Sequence, residues 1–565
     1  MSAPVLVLNT TAKRETGREA QLGNIAAAKT LADVIRTCLG PKSMLKMVLD
    51  AMGGVALTND GNAILREIDV EHPAAKSMIE LSRAQDESVG DGTTSVVILA
   101  GEMMQLAEPL LTRDVHPTVI INAYTQALRD AVAALEKFAV KLNVADRSEI
   151  MNVIRACLGT KFVSQYGDLM VGIALDAVNI VRGKCADPTA AEIDLKKYAR
   201  VDKLPGGDVT ESRVFHGVVL NKDVTHSKMR RRIENPRIVL LDCNLEYKKT
   251  ESQTNVECNT EEDFAKLLKA EEREVEQMCV NILRVKPDVV CTEKGLSDLA
   301  QHYLMKGGVT ALRRLRKTDN NRLARISGAT IVHRPEELQE SDVGTLCDLF
   351  EVQKIADDYW TFISSKPEAD TRACTIILRG ANKDVMNEVE RNLWDAMSVA
   401  RNIVLDPRLV PGGGAAEMAV SCELSRLSRS VEGVRQTPYR NVALALEVIP
   451  RTLAQNCGAD VVRLITELRA KHAQDPAKNW SWGVDGIRGT IADIYDTGVW
   501  EPFAVKAQTF KSAIEAACML LRVDDILSGA SKHQDAQAQQ PSAGDLERSE
   551  LSEPGMGMGG MPMMG

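Results

Sequence analysis

Gly90-Asp91-Gly92-Thr93-Thr94-Ser95 stands between two stretches of helical periodicity, one running from Ala74 to Gln85 and one beginning at Ser95. Glycine lets a backbone come close to a phosphate, free N–H groups at a helix start point toward an anion, and hydroxyls add donors. Asp91 supplies the hard oxygen that holds Mg2+ beside a phosphate. The same six residues read equally well as a capped helix start behind a glycine turn. Two further glycine turns lie in the same helical block, Leu39-Gly40-Pro41-Lys42 and Thr58-Asn59-Asp60-Gly61, and each alone is an ordinary turn. A fourth, Pro411-Gly412-Gly413-Gly414, precedes a later helical block; its bare backbone suits a flat ring such as adenine, or simply a flexible joint.

Outward from these turns, apolar residues recur at helical spacing from Ala20 to about Lys137, as in Ile25, Leu31, Val34 and Ile35 or Ile120, Ala123, Ala127 and Val132. A second mostly helical stretch runs from about Gly414 to Leu527 and includes Val442 to Asn456 and Thr509 to Ile526. Between about Val214 and Leu378 the pattern changes to short β-type runs: Ile238 to Asp242, Val289 to Thr292, Thr330 to Val332 and Thr375 to Leu378. Helical segments, Glu261 to Val285 and Asp298 to Met305, alternate with them, which is the rhythm of an α/β unit. The expectation is a nested chain, with a helical domain built from both ends and an α/β domain inserted. The crossing segments, about Ser148 to His216 and Arg379 to Leu405, would form a hinge. In the second of these, Val385, Val389, Leu393, Met397 and Ala400 make an apolar stripe, and Asp395 falls off it, free to face a cleft; a lone aspartate there is otherwise a solvated charge.

A length of 565 residues suggests three or four units at roughly 150 residues each. Lys and Arg number 69 against 78 Asp and Glu, a formal charge of -9 that argues against general affinity for nucleic acid or an anionic membrane. The 12 cysteines show no CxxC or paired spacing, so neither a zinc knuckle nor a disulfide framework is suggested, and reduced thiols of a cytoplasmic protein are expected. The start lacks a signal peptide's basic and long apolar segments, and no apolar run reaches the roughly 20 residues of a membrane span. There is no GxxxxGK[ST], no GxGxxG between a strand-like run and a helix, and no HExxH, which disfavours a P-loop, a Rossmann site and zinc protease chemistry. The segment from Ser528 onward, ending GMGMGGMPMMG, offers no periodic apolar face and is expected to be disordered.

Taken together and in this order, LGPK, TNDG, GDGTT and PGGGA resemble the nucleotide site of the group II chaperonins, over nearly the whole chain from Leu8 to about Ser528. Arg313 to Arg325 (RRLRKTDNNRLAR), Glu246 to Thr254 (EYKKTESQT) and His226 to Pro236 (HSKMRRRIENP) resemble the gamma-type branch of the eukaryotic cytosolic group. Ala51 stands where that pattern has Pro, and Ser95 replaces a third Thr while keeping a hydroxyl. The resemblance implies a chaperonin fold of multidomain α and α/β class. Its parts would be a mostly helical equatorial domain (1–147 and 406–527), a hinge-like intermediate domain (148–216 and 379–405), an inserted α/β apical domain (217–378) with a helical lid protrusion, and a tail (528–565).

It also implies ATP/ADP and Mg2+ as cofactors. Gly40 and Pro41 would border the nucleotide, Gly92, Thr93, Thr94 and Ser95 would bind phosphates, and Asp91 would hold the metal. Thr160 and Lys161 would sense the phosphates, and Gly412, Gly413, Gly486, Glu501 and Lys506 would line the base and ribose side. Asp395, delivered from the hinge, would join Asp60 in activating a water for in-line attack on the γ-phosphate. A catalytic residue on a hinged domain would couple hydrolysis to closure.

Leu245 to Leu283 resembles the built-in lid, and Ser297 to Met305 with Asp319 to Ser327 the client-facing region. There Arg313, Arg314, Arg316, Lys317, Arg322 and Arg325 would make client contact partly electrostatic; such a cluster is otherwise a solvated face. Partners would be paralogous subunits in a double ring and unfolded clients, cytoskeletal proteins among them. Two rivals remain: a structural subunit with little hydrolysis of its own, and an independent small-molecule phosphotransferase.

Overall fold

The computed structural model describes residues 13–49, 53–144, 146–183, 193–247, 260–366 and 369–528. The chain before Lys13, Ala51, most of the Glu246 to Thr254 stretch and the tail beyond Ser528 lie outside the described residues.

The axis of the helical part is Thr93–Thr112, whose stretch from Val96 to Ala100 is apolar all round and has no exposed surface. A helix of this kind must be covered on every side. Arg18–Ile35, Pro73–Ser88, Gln436–Leu446 and Phe503–Leu521 pack around it. The first of these comes so close that a Cβ at Gly101 would lie 2.6 Å from that of Ala32. Residues from Ile25 to Leu135 and from Val410 to Leu521 thus share one apolar cluster, drawing the two ends of the chain together. The ends are also stitched by an antiparallel pair, Lys13–Thr16 with Asp525–Ser528.

A second apolar cluster holds residues from Ile150 to Leu409. At its far end Thr310–Leu312, Val289–Thr292, Ile238–Leu241 and Ile331–Val332 form, in that order, a parallel sheet. Its three longer strands are buried throughout, as a sheet covered on both faces requires. The helices Glu261–Arg284, Asp298–Lys306 and Lys317–Ser327 make the crossovers. An antiparallel sheet follows, with Cys347–Ile355 and Asp358–Ser365 at its centre, and Cys374–Gly380 pairs in parallel with Ala199–Pro205. The long Lys383–Leu405 helix then leads back, packing on Gly167–Arg182. The fold is of multidomain α and α/β class.

The structure departs from the periodicity in several places, the Trp482–Asp485 and Thr490–Asp493 hairpin within the second helical stretch among them. The stretch Val442 to Asn456 is two helices, Gln436–Leu446 and Val448–Asn456. Pro450 lacks the N–H that would continue the first helix, and its ring would press on the carbonyl of Leu446. Buried Glu447 at the joint is held by Arg469. The last helix stops at Leu521, and Ile526 belongs to the strand that pairs with the N-terminal segment. The first helical third contains a hairpin, Lys46–Leu49 with Val55–Thr58.

Candidate active site

Each glycine turn is placed by an element end. After Val55–Thr58, Asp60 caps the Gly61–Glu67 helix, accepting from the Ala63 amide at 3.0 Å, and its other oxygen accepts from the Thr93 hydroxyl at 2.9 Å. Carboxylates are common caps because the first helical N–H groups lack partners. Gly90 and Gly92 adopt φ of 67° and 77°, a region costly for other residues, and Gly92 caps the axial Thr93–Thr112 helix. Gln85, fully buried, donates to the Asp91 carbonyl and to the Thr509 hydroxyl, both at 3.1 Å, and so fixes the loop from behind. Asn59 donates to the Thr160 carbonyl at 2.9 Å, joining the TNDG turn to the Thr160–Lys161 segment.

On the opposite side, Gly413 lies against the Trp482–Asp485 strand, its carbonyl accepting from the Val484 amide at 2.9 Å. A Cβ at Gly486 would sit 2.6 Å from the Pro41 ring, so turns more than 400 positions apart in sequence close on each other. Lys506 is buried between Glu501 (2.8 Å) and Glu417 (2.6 Å). Burial disfavours its charge, but the two carboxylates outweigh this and hold the ammonium above its ordinary value. Burial pushes the Glu501 carboxyl up, with Lys506 opposing.

These turns surround a cavity of about 790 Å³, within the range of cofactor sites. Asp60, Asp91, Gly40, Pro41, Gly92, Thr93, Thr94, Ser95, Thr160, Lys161, Gly413, Gly486, Glu501 and Lys506 line it; Asp395 and Gly412 do not. Gly412 lies just behind, where a Cβ would be 2.9 Å from Glu501 Oε1. Asp395 is not free in a cleft: it is buried, and its carboxylate is ion-paired with Lys161, which does line the cavity. Its helix is buried on a polar face as well as the apolar stripe, because that polar face carries Glu388, Asn392, Asp395 and Asn402 against other protein groups. Burial drives the Asp395 carboxyl well above the ordinary aspartate range; Lys161 pulls it down, while Asp60 and Asp91 add to the rise. Lys161 itself is held protonated, burial being outweighed by the carboxylates around it.

The residues fit a nucleotide with a divalent cation. Bare glycines, a helix start with the hydroxyls of Thr93, Thr94 and Ser95, and Lys161 face one space, as polyphosphate binding requires. Among the described residues no three His, Cys, Asp or Glu side chains could hold a metal by themselves. Asp60 and Asp91 line the cavity, and Mg2+ is usually held by one or two carboxylates together with phosphate and water. Asn392, fully buried one turn before Asp395, has neither amide atom hydrogen-bonded to protein.

The sequence reading missed Gln85 and Glu417, which act from behind the lining, and Cys157, whose thiol lies 3.6 Å from Asp91 and is pushed up mainly by burial. Only Glu417, one turn into a helix behind three glycines, carried a signal. The basic cluster needs a correction. Arg313, Arg314, Arg316 and Lys317 are exposed, but Arg322 is 1% exposed and bonds Asp319 at 2.6 Å, and Arg325 lies over the Tyr198 ring at 3.4 Å.

Helices from both chain ends sharing one core, an α/β segment inserted between them and a glycine-lined cavity at the junction define a chaperonin. The chain belongs to the TCP-1/cpn60 chaperonin family, whose model matches residues 31–531. It is a chaperonin subunit that assists protein folding, in a family whose members are nucleotide-dependent. It is 59% identical over 542 residues to T-complex protein 1 subunit gamma of Homo sapiens, covering 96% of this chain and 98% of that one. The gamma subunit of Dictyostelium discoideum is 59% identical over 532 residues, 94% of this chain and all of its own. That of Oxytricha granulifera is 60% identical over 532 residues, 94% of each chain. The resemblance seen in the glycine blocks is borne out. No helix among the described residues is long and apolar enough to cross a membrane.

Proposed function

We propose that this chain hydrolyses ATP as one subunit of a hetero-oligomeric double ring of paralogues, and that hydrolysis drives closure of a built-in lid over unfolded clients in the cytoplasm. The domain limits that go with this reading are 1–147 with 406–527, 148–216 with 379–405, and 217–378. The observation that carries it is the meeting of two apolar clusters at one cavity. Asp60 and Asp91 stand on elements of the cluster that holds both chain ends, and Asp395 stands on a helix of the other.

In this reading Thr93, Thr94, Ser95 and the first amides of their helix hold the phosphates, and Glu501 with Lys506 faces the sugar and base side. Asp91 would hold Mg2+, which supplies charge neutralisation on the phosphates when bound. Asp395, a carboxylate on a helix of the other cluster whose pKa burial raises above the ordinary aspartate range, suits the part of general base. It takes a proton from a water that Asp60 helps to orient; the water oxygen bonds to the γ-phosphorus, and the bond to the leaving ADP oxygen breaks. Assembly is supported by the Lys46–Thr58 hairpin, which carries exposed Met47, Leu49, Val55 and Leu57 and has no third strand among the described residues.

The test replaces Asp395 by Ala in rings purified through a tag on this chain. Labelling of this chain by an azido-ATP analogue should stay within about twofold, while its share of turnover falls at least tenfold. Unchanged turnover would remove Asp395 from the chemistry. Asp91→Ala should instead abolish Mg2+-dependent labelling.

A further inference from the structure

Glu388, Asp395 and Asn402 are spaced by seven residues on the Lys383–Leu405 helix. Seven residues make nearly two turns, about 700°, so the three share one face at intervals of about 10 Å. All three are buried, at 4%, 9% and 5% exposure, although none is apolar. The outer two reach backward across the boundary between the two apolar clusters. The Thr58 hydroxyl donates to Glu388 Oε1 at 3.2 Å and accepts from the Asp60 amide at 3.1 Å. The Asn402 amide donates to the Val89 carbonyl at 2.8 Å, and neighbouring Arg401 donates to the Ser88 carbonyl at 2.9 Å. Thr58 is two residues before Asp60, and Val89 is two residues before Asp91. Between these contacts Gly90 lies against Ser398 so closely that a Cβ there would collide with it.

We infer that Glu388 and Asn402 are positioning residues: a pair of clamps, one on each nucleotide turn, that set the register of the helix so that Asp395 stands between Asp60 and Asp91. Two contacts nearly four turns apart fix both the translation and the rotation of a rod, which one contact cannot do. A buried hydrogen bond between groups that must otherwise be desolvated is costly to leave half made, so each clamp favours a single register. The inference rests on the proposed role of Asp395, but its physical content, registration of the helix on the two turns, has its own readout.

The test uses assembled rings carrying Thr58→Val, Thr58→Ser, Asn402→Leu or Asp395→Ala in this chain. Turnover and azido-ATP labelling of the chain are followed alongside amide hydrogen exchange over residues 386–405. The turnover that Asp395→Ala removes should fall at least fivefold in Thr58→Val and in Asn402→Leu, with labelling within twofold of the unchanged ring. Exchange in the helix should rise about tenfold. Thr58→Ser, which keeps the hydroxyl, should restore both. Unchanged exchange in the Val and Leu variants, equal loss of labelling and turnover, or a Ser variant as poor as the Val variant would each overturn the clamps. If Asp395→Ala removes no turnover, the hydrolysis reading falls by itself; raised exchange would then still uphold the registration, and unchanged exchange would end it.

Discussion

The cavity beside the Thr93–Thr112 helix and the Lys317–Ser327 helix both stood out in the sequence as polar stretches, and they use their polar groups in opposite ways. Around the cavity, Asp60, Asp91, Thr93 and Lys161 face a common space. In the Lys317–Ser327 helix the central charge, Arg322, is turned into the protein, where Asp319 bonds both it and Arg200 at 2.6 Å. One cluster of charge is kept for a ligand; the other is spent on holding an α/β element to the strand that leads into it. Glycines make the difference legible. Several glycine turns in one set mark backbone that a ligand can approach closely, whereas a run of arginines says nothing about which of them has a partner.

The largest effect that would break this contrast is on Arg322. Replacing it by Leu removes one of the two arginines that bond Asp319 and leaves the other, Arg200; breaking a buried ion pair costs up to about 3–5 kcal/mol. Hydrogen exchange in residues 317–327 should therefore speed by up to about a hundredfold; an unchanged rate would mean that Arg322 is a surface charge after all. Next comes the cavity. Gly486→Val would drive a side chain into Pro41 and push the two turns apart. ATP should bind about tenfold more weakly, by labelling of this chain, with little change in exchange elsewhere.

A smaller effect concerns pH. A base must be deprotonated to act, and the Asp395 carboxyl is raised above its ordinary value of 3.8. Turnover should then fall, severalfold, as pH drops through that raised pKa, on an acid limb well above pH 3.8. A limb near that ordinary value would show that burial and the neighbouring Asp60 and Asp91 do not act on this group. The smallest effect sharpens the other side of the comparison. Arg316 is exposed, with no ion-pair partner among the described residues. Arg316→Ala should change stability by less than about 0.5 kcal/mol, while weakening capture of an acidic unfolded client if the exposed basic residues meet clients.

Much of this was legible from residue types. Gly40, Gly92 and Gly413 all take left-handed backbone, and the sequence marks such positions openly. The short β-type runs at Ile238 and Val289, alternating with helical segments, announced the strands of an α/β unit. What stayed hidden depends on partners distant in sequence. Ile526 is apolar at helical spacing, yet it pairs with Glu15 in a strand, a choice that only the opposite end of the chain could make. Asp395 was identifiable as lying off the apolar stripe, but periodicity cannot say that Lys161 waits on the other side. Gln85 and Asn402 act through hydrogen bonds to carbonyls of loops, and no spacing rule points from a glutamine or asparagine in a helix to a carbonyl in another segment.

The most direct measurement is the structure of the assembled ring, closed on ADP and aluminium fluoride, at a resolution that shows ordered water beside the fluoroaluminate. The account predicts that the Asp395 carboxylate has exchanged Lys161 for that water, standing at about 2.6–3.2 Å from it with Asp60 alongside. An Asp395 still paired with Lys161 and turned from the fluoroaluminate would contradict it.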